Sequence, residues 1–397
     1  MNEKKKNVTL FYGIIMATYS VGYVTMSAFS SLFLKDIGLD DGDIGMLLAI
    51  ASLISVLIQP PVGTIIDRNP KVSTKGVLLL ISILVTILGI NIVFVSQSIV
   101  TTTILYGISV MLLMLGQPFL NALGMDAINY GYPINFGVGR SMGSLGYALG
   151  SAAFGSVSVM YGPRSVPVAF SIAFFVLCGF IYFYPVKKVV KEIEVKKETE
   201  SKKSSGFLLK YKRLGVMLLG LIFVYFSHAL INTFTLQIVQ SKSGNSSDMG
   251  IATAIAAICE LVTVMIFPFY MKHFKLHNLL RVSCIFFTLK IFTSFLVPNV
   301  FTFFLIQGLQ MFGWGIMSIG IVYYANDFVG EFDKAQAQAY AGMAYTIASV
   351  LASFLGGNII DMLGVDRMLQ IGSLVALVGS VVVWAAVREN KEKINAA

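Results

Sequence analysis

Charged residues are scarce in this chain, and their scarcity excludes most soluble folds. Asp, Glu, Lys and Arg make up 12% of the 397 residues, while hydrophobic residues make up 56%. A soluble globular domain carries about 25% charged residues, because its surface is in contact with water. The composition therefore predicts a membrane protein.

Cysteine is also rare, and signatures of catalysis are missing. The three cysteines, Cys178, Cys259 and Cys284, all fall within long apolar segments, so the sequence indicates neither disulfide bonds nor a metal site. No HExxH motif and no long soluble domain is present, which disfavours a membrane-embedded enzyme or a sensor. We expect no enzymatic activity and no cofactor.

The chain is instead rich in long hydrophobic runs. A membrane-spanning helix needs about 20 mostly apolar residues. Runs of this kind predict twelve spans, numbered here in chain order, at residues 9–34, 43–66, 75–95, 99–124, 136–160, 165–185, 212–236, 249–271, 279–296, 299–324, 336–357 and 367–386. The predicted fold class is an all-α polytopic membrane protein with twelve transmembrane helices in two six-helix bundles.

Lysine and arginine are distributed unevenly between the loops. With a cytoplasmic N-terminus, 23 of the 29 lie on the cytoplasmic side, 4 lie outside, and Arg140 and Lys290 lie within spans. Because cytoplasmic loops carry the excess of positive charge, both termini are predicted to be cytoplasmic, in the inner or plasma membrane. The net charge of +9 reflects this asymmetry and gives no reason to expect nucleic acid as a partner.

One charged segment divides the chain into two sets of six spans. It predicts an N-terminal bundle at 1–185, a cytoplasmic linker at 186–211 and a C-terminal bundle at 212–397. LISVLIQPP at 53–61 and LVTVMIFPF at 261–269 share four of nine residues. Together with the division into six and six spans, this similarity predicts a transporter that arose by duplication.

Span five combines two stripes of residues at helical spacing. One stripe is polar, namely Arg140, Ser144, Tyr147 and Ser151, and the other is Gly139, Gly143, Gly146 and Gly150. Small residues at this spacing let a neighbouring helix approach closely. The helix is thus predicted to pack through its glycines and to present Arg140 elsewhere; alternatively, Arg140 extends to the cytoplasmic headgroups.

Two other charges are deep in predicted spans. Glu260 lies near the middle of span eight, where a carboxyl group is either protonated or paired with a cation. Both states suit proton coupling, and Lys290 in span nine is the other deep charge. The alternative is an inert structural pair between Glu260 and Lys290.

Amide and aromatic residues recur on single faces of four spans. They are Tyr19 and Tyr23 in span one, Gln117 and Asn121 in span four, His228, Asn232 and Thr235 in span seven, and Gln307, Gln310 and Trp314 in span ten. Each alone is compatible with hydrogen bonding between helices. Together they favour a binding site for a neutral polyhydroxy solute over one for a polyanion or a lipid.

The segment GTIIDR, residues 63–68, ends span two on the cytoplasmic side. Its residues Gly63, Asp67 and Arg68 are candidates for a gate, because an acid–base pair at a helix end can clamp neighbouring helices. Plain termination of a helix by charged residues is the alternative.

Several segments resemble the major facilitator superfamily, and more narrowly its oligosaccharide:proton symporters, the lactose permease group. SLISVLIQPPVGTIIDR (52–68) is similar to the second span and the following loop of that group, and FGVGRSMGSLGY (136–147) to its fifth span. CEL (259–261), LQMF (309–312) and GGNIIDMLG (356–364) resemble its spans eight, ten and eleven. The resemblance implies twelve helices, alternating access and a gating role for Asp67 and Arg68.

The resemblance also implies roles at the binding site. Arg140 matches the arginine that binds sugar hydroxyls, and Tyr147 stands where a tryptophan stacks on the sugar. Glu260 matches a carboxylate that binds sugar and takes part in coupling. Thr263 falls at a sugar-binding asparagine, and Lys290 at the arginine of span nine.

Three further departures from that group change the charge or the proton-carrying groups of the site. Asn121 stands where a glutamate pairs with the span-five arginine, with Asp126 as a possible substitute. Gln310 replaces a histidine, and Gly313 replaces the main proton-carrying glutamate. The coupling scheme and the galactoside specificity therefore do not transfer directly.

The sequence favours a secondary transporter that imports a small neutral polyhydroxy solute, a sugar or a nucleoside, by proton symport. Glu260, Lys290 and Asp126 are the candidate coupling residues, with Arg140, Tyr147, Asn121, Glu260, Thr263, Gln310, Trp314, His228 and Asn232 around the solute. The alternatives are a facilitative uniporter and a multidrug or organic-anion exporter of the same fold. The expected partners are the solute, protons and the lipid bilayer, and the chain is expected to be a monomer.

Overall fold

The computed structural model describes residues 8–69, 71–94, 98–186, 207–330 and 333–387, without the side chains of Asp67 and Ala335. All regular structure in these ranges is helical. The helices are α1 (Val8–Tyr23), α2 (Ser30–Asp36), α3 (Asp41–Arg68), α4 (Thr74–Phe94), α5 (Ile99–Asn129), α6 (Phe136–Tyr161), α7 (Ser165–Phe183), α8 (Phe207–Lys210), α9 (Lys212–Thr233), α10 (Thr235–Ser241), α11 (Ser246–His273), α12 (Leu276–Leu296), α13 (Val300–Gln307), α14 (Trp314–Phe328), α15 (Lys334–Leu363) and α16 (Val365–Ala386).

Eleven helical segments in the described ranges are long and apolar enough to cross a membrane. They correspond to every predicted span except the fifth, which is α6. With 26 residues α6 is about 39 Å long, but its six glycines and five serines make it less apolar than the others. The predicted all-α polytopic fold is confirmed.

Two spans are interrupted rather than continuous. Span one changes from α1 to α2 through a π-helical turn, Val24–Ala28. Span ten changes from α13 to α14 through a 3₁₀ turn, Gly308–Met311. Such breaks at membrane depth persist only where neighbouring protein groups satisfy the freed backbone.

The chain forms two compact units. The first comprises Met1–Glu194 with Gly244–Ala257, and the second comprises Val195–Ser243 with Ile258–Ala397, so the boundary falls inside α11. Most of the predicted linker, residues 187–206, lies outside the described ranges. The division at 1–185, 186–211 and 212–397 stays a prediction.

In the first unit, α6 packs on α1 through the predicted glycine stripe. A Cβ at Gly139 would overlap the ring of Tyr12, and a Cβ at Gly146 would lie 2.6 Å from the carbonyl oxygen of Ala17. Further along α6, a Cβ at Gly155 would lie 3.1 Å from the Cα of Gly250 in α11. The close approach that the glycine spacing predicted is therefore confirmed.

In the second unit, glycines bring α9 equally close to α16. A Cβ at Gly379 would lie 2.7 Å from the carbonyl oxygen of Gly220, so backbone packs on backbone. A Cβ at Gly356 of α15 would lie 2.5 Å from Leu230 of the same α9. The helix α9 is thus enclosed between α15 and α16.

One contact recurs in both units and supports the predicted duplication. In the first unit, Lys75 of α4 donates to the carbonyl oxygens of Tyr182 and Tyr184 at the end of α7, at 2.9 and 2.8 Å. In the second, Arg281 of α12 donates to those of Trp384 and Val387 at the end of α16, at 3.3 and 2.6 Å. A cation on the third span of each half thus binds unpaired carbonyls at the end of the sixth, where the helix dipole is negative.

Candidate functional site

Arg140 lies in the second turn of α6 and is exposed. It interacts electrostatically with Tyr12 of α1. Within the described part of the chain it forms no ion pair. Because a guanidinium stays protonated in proteins, Arg140 is a fixed positive charge that is not neutralised by a described carboxylate.

Tyr12 lies beside Arg140 and was not singled out by the sequence. A Cβ at Gly124 of α5 would lie 2.6 Å from its Cζ, and its ring stacks on Phe136 at 5.8 Å between centroids. Its hydroxyl is buried and has no hydrogen-bond partner among the described residues. Tyr12 could have been found from its position seven residues before Tyr19, because this spacing places both tyrosines on one face of α1.

The other predicted residues of the first unit lie on α5 and α6. The ring of Tyr147 is 6.3 Å from that of Tyr23, and the Oδ1 atom of Asn121 is buried without a hydrogen-bond partner among the described residues. Asp126 accepts a hydrogen bond of 2.6 Å from the hydroxyl of Thr74. Asp126 is therefore engaged with α4 rather than paired with Arg140.

The predicted gating residues lie at the end of α3. Arg68 is the last residue of that helix and is exposed, and a Cβ at Gly63 would meet no atom within 4 Å. The side chain of Asp67 lies outside the described residues. The geometry therefore leaves the gating role of this segment a prediction.

The second unit contains an aromatic cluster contributed by four helices. We define the aromatic cluster as Tyr225, His228, Phe287, Trp314 and Tyr345. His228 stacks on Trp314 at 4.5 Å and an interplanar angle of 12°, and Tyr225 meets Phe287, Trp314 and Tyr345 edge-on. His228 and Trp314, both predicted from sequence, are thus in direct contact, while Tyr225, Phe287 and Tyr345 were missed.

His228 carries an unpaired donor. Its Nε2 atom lies 2.9 Å from the amide nitrogen of Asn232, one turn further along α9. Because an amide nitrogen only donates, Nε2 accepts, and the neutral imidazole carries its proton on Nδ1. That atom is buried without a hydrogen-bond partner among the described residues, which costs about 1–3 kcal/mol unless a solute or water accepts from it.

Lys290 and Gln310 form the polar centre of the second unit. The ammonium group of Lys290 donates to the Oε1 atom of Gln310 at 2.6 Å, and Lys290 is only 3% exposed. Lys290 also interacts electrostatically with Glu260. Gln307, one turn before Gln310, is equally buried, and its Nε2 donor has no hydrogen-bond partner among the described residues. Glu260, which the sequence offered as an alternative partner of Lys290, is therefore close enough to attract it.

The position of Thr263 does not match the solute-binding role that the family resemblance implies. It is 0% exposed, and its hydroxyl lies 2.9 Å from the carbonyl oxygens of both Cys259 and Met311. A hydroxyl has one proton to donate, and both of its acceptors are backbone groups. This arrangement favours a role in holding the helices over direct contact with a solute.

Comparison with known proteins identifies the family and the fold. The model of the MFS_1 like family matches residues 12–371. No curated protein matches the chain. Two solved structures of the nucleoside transporter NupG, one of them a single-site variant, share its fold with TM-scores of 0.81 for the variant and 0.78, each at 15% identity. They cover 97% and 98% of this chain and 100% of their own.

A bacterial homologue of the human lysosomal transporter Spinster, solved in an inward-facing and unoccupied conformation, is also similar. Its TM-score is 0.68 at 13% identity, with 98% of each chain covered. At these identities the solved structures show the fold alone, whereas the family match spans most of the sequence. The chain therefore belongs to the MFS_1 like family, and it is a transporter of the major facilitator type rather than an enzyme.

Proposed function

We propose that this protein is a secondary active transporter that imports a small neutral polyhydroxy solute by alternating access, coupled to protons. It would act as a monomer in the inner or plasma membrane, with both termini in the cytoplasm. The distribution of 23 of 29 basic residues on one side supports this orientation.

The observation that carries the proposal is the unpaired donor of His228 within the aromatic cluster. The Nδ1 atom of His228 and the Nε2 atom of Gln307 are buried donors without a partner among the described residues. Hydroxyl oxygens of a solute can accept from such donors, and aromatic rings can stack on the apolar face of a sugar or a base. Lys290 and Glu260, the two charges that the sequence placed deep in spans of this unit, attract each other, which favours a neutral solute.

Two solute classes fit this chemistry, and the nucleoside fits it more fully. A nucleoside combines ribose hydroxyl groups with a planar base, and the aromatic cluster offers five rings. The likeness in fold to solved nucleoside transporters supports this choice. The resemblance of the sequence to oligosaccharide:proton symporters supports a sugar.

Proton coupling is proposed to run through Glu260. Span ten carries Gly313 where the lactose permease group has its proton-carrying glutamate, so Glu260 is the carboxyl group near the Lys290–Gln310 pair. The test is uptake into proteoliposomes under an inward proton gradient. Glu260→Gln is expected to abolish accumulation while leaving exchange of solute intact; accumulation that survives in Glu260→Gln overturns the coupling assignment, and a wild-type protein that only equilibrates its solute is a uniporter.

A carrier of organic anions is the second candidate, and Arg140 favours it. Its guanidinium is exposed and forms no ion pair in the described part of the chain. A carboxylate solute would bind such a cation. Thermal-shift screening of a solute library with wild type and Arg140→Ala separates the two: stabilisation by carboxylates that Arg140→Ala removes supports the anion carrier.

A further inference from the structure

The interruption of span ten is held by side chains from two other helices. We call residues Gly308 to Gly313 the span-ten break. The 3₁₀ turn Gly308–Met311 follows α13, and Gly313 has φ −81° and ψ −96°, outside the helical range, before α14 begins at Trp314. The break lies between Gln307 and Trp314, so it sets how these two side chains of span ten are oriented relative to each other.

Thr263 of α11 fastens one side of the break. Its hydroxyl lies 2.9 Å from the carbonyl oxygen of Met311, the last residue of the turn. The contact is close because the second residue of α14 is a glycine. A Cβ at Gly315 would lie 2.7 Å from the Cβ of Thr263. Thr263 therefore fixes the distance between α11 and the first turn of α14.

Ser283 of α12 fastens the other side. Its hydroxyl donates to the carbonyl oxygen of Gly313 at 2.7 Å, and the side chain is 0% exposed. Two turns further along α12, Lys290 donates to Gln310 within the break. Carbonyl groups freed at membrane depth need a partner, because no water is available there, and Thr263 supplies a hydroxyl group to that of Met311. Ser283 adds a second donor to the carbonyl of Gly313, which also accepts from the backbone N–H of Met317 at 3.1 Å.

We propose that Thr263 and Ser283 are positioning residues, which hold the span-ten break so that Gln310 meets Lys290 and Trp314 meets His228. The proposal rests on the proposed function, since it assigns these two residues to the orientation of the solute-binding groups. Neither of them contacts the solute. Their role is to keep the amide and the indole in one fixed arrangement.

The first test measures transport with matched variants. Thr263→Val removes the hydroxyl at equal size, Thr263→Ser keeps it, and Ser283→Ala removes the second hydroxyl. The control is Ser373→Ala, because Ser373 is also buried but donates to Leu369 in its own helix. We expect Thr263→Val and Ser283→Ala each to raise the KM for the solute by about 3- to 10-fold, the effect of one lost hydrogen bond, with turnover nearly unchanged. Thr263→Ser and Ser373→Ala should keep the wild-type KM.

The second test does not depend on any solute. Trp314 and Trp384 are the only tryptophans, so Trp384→Phe leaves Trp314 as the single reporter of the break. In that background, Thr263→Val with Ser283→Ala is expected to shift the emission of Trp314 and increase its quenching by acrylamide, because the stacking on His228 loosens. Unchanged emission and quenching in the double variant would overturn the positioning role.

The two tests separate the two proposals. A wild-type protein that transports no polyhydroxy solute, together with a shifted Trp314 emission, refutes the proposed function and retains the positioning role. If the double variant does not fold, the single variants and Gly315→Ala, which presses on Thr263, are measured in the same way. A KM and an emission that stay at wild-type values in all three would refute the positioning role.

Discussion

The two units of this transporter carry their intramembrane charge in different ways. In the first unit Arg140 is exposed and forms no ion pair with the described residues, and the helix that carries it packs through glycine. In the second unit Lys290 is buried, bonded to Gln310 and attracted by Glu260, beside a cluster of five aromatic rings. A buried charge has to be paired because its desolvation is costly, whereas an exposed charge can stay available for a solute or a headgroup.

Removing each charge in turn should give the largest difference in stability between the two units. Lys290→Met removes the cation that attracts Glu260 and leaves the buried Gln310 without its donor, and a hydrogen bond to a charged group contributes about 1.5–3 kcal/mol. Arg140→Met leaves no described carboxylate unpaired and is expected to change stability by less than about 1 kcal/mol. Thermal unfolding of both variants in detergent checks the difference, and equal losses of Tm would contradict the contrast between the units.

The glycine packing of the first unit gives the next largest effect. Gly146→Ala places a methyl group 2.6 Å from the carbonyl oxygen of Ala17 in α1, so the helices have to separate. Overpacking of this kind costs about 1–3 kcal/mol. The control is Gly179→Ala in α7, where a Cβ would meet no atom within 4 Å and stability should hold or rise. A Tm of Gly146→Ala equal to that of Gly179→Ala would contradict the close packing of α1 on α6.

The recurring cation at the helix ends is expected to matter equally in both units. Lys75→Met and Arg281→Met each remove a charged donor from the carbonyls at the end of α7 or α16. Each change should lower stability by about 0.5–2 kcal/mol, the size of a helix-end charge interaction. Lys71→Met, at an exposed position before α4, is the control. A loss confined to one of the two variants would weaken the case for duplication.

The smallest expected effect is a pH dependence in the second unit. Hydrogen bonds from Lys210 and Tyr211 lower the pKa of Asp333. A carboxyl with a lowered pKa in the folded state stabilises the fold above its ordinary pKa, and that contribution is lost as the pH falls below about 4. As the pH is lowered from 7 to 3, the Tm of wild type should therefore fall slightly more than the Tm of Asp333→Asn. Parallel profiles would indicate that the three residues do not act together.

Some of this architecture follows from the sequence because it depends on local spacing. The glycines of α6 and the polar stripe with Arg140 are read directly from a period of 3.6 residues, and so are His228 and Asn232 on α9. An interaction between Glu260 and Lys290 was offered as an alternative from sequence, because a charge deep in a span is costly unless an opposite charge lies nearby. These features need no knowledge of the tertiary fold.

The span-ten break depends instead on contacts between distant residues. Gly308 and Gly313 are two of 36 glycines, so they carry no specific signal for a break. Thr263 meets Met311 across 48 positions and Ser283 meets Gly313 across 30. The sequence therefore predicted an uninterrupted face for Gln307, Gln310 and Trp314, and assigned Thr263 to the solute through resemblance alone.

The most direct test of the proposed function is counterflow exchange in proteoliposomes with purified protein. The panel contains nucleosides, neutral sugars, carboxylates and cationic dyes, and each solute is measured with wild type and with Trp314→Leu. We predict exchange of at least one nucleoside or neutral sugar by wild type and at least a tenfold weaker apparent affinity in Trp314→Leu, since a stacking contact contributes about 1.4 kcal/mol. Exchange of only carboxylates or dyes, or exchange of a neutral solute that Trp314→Leu leaves unchanged, would contradict the account.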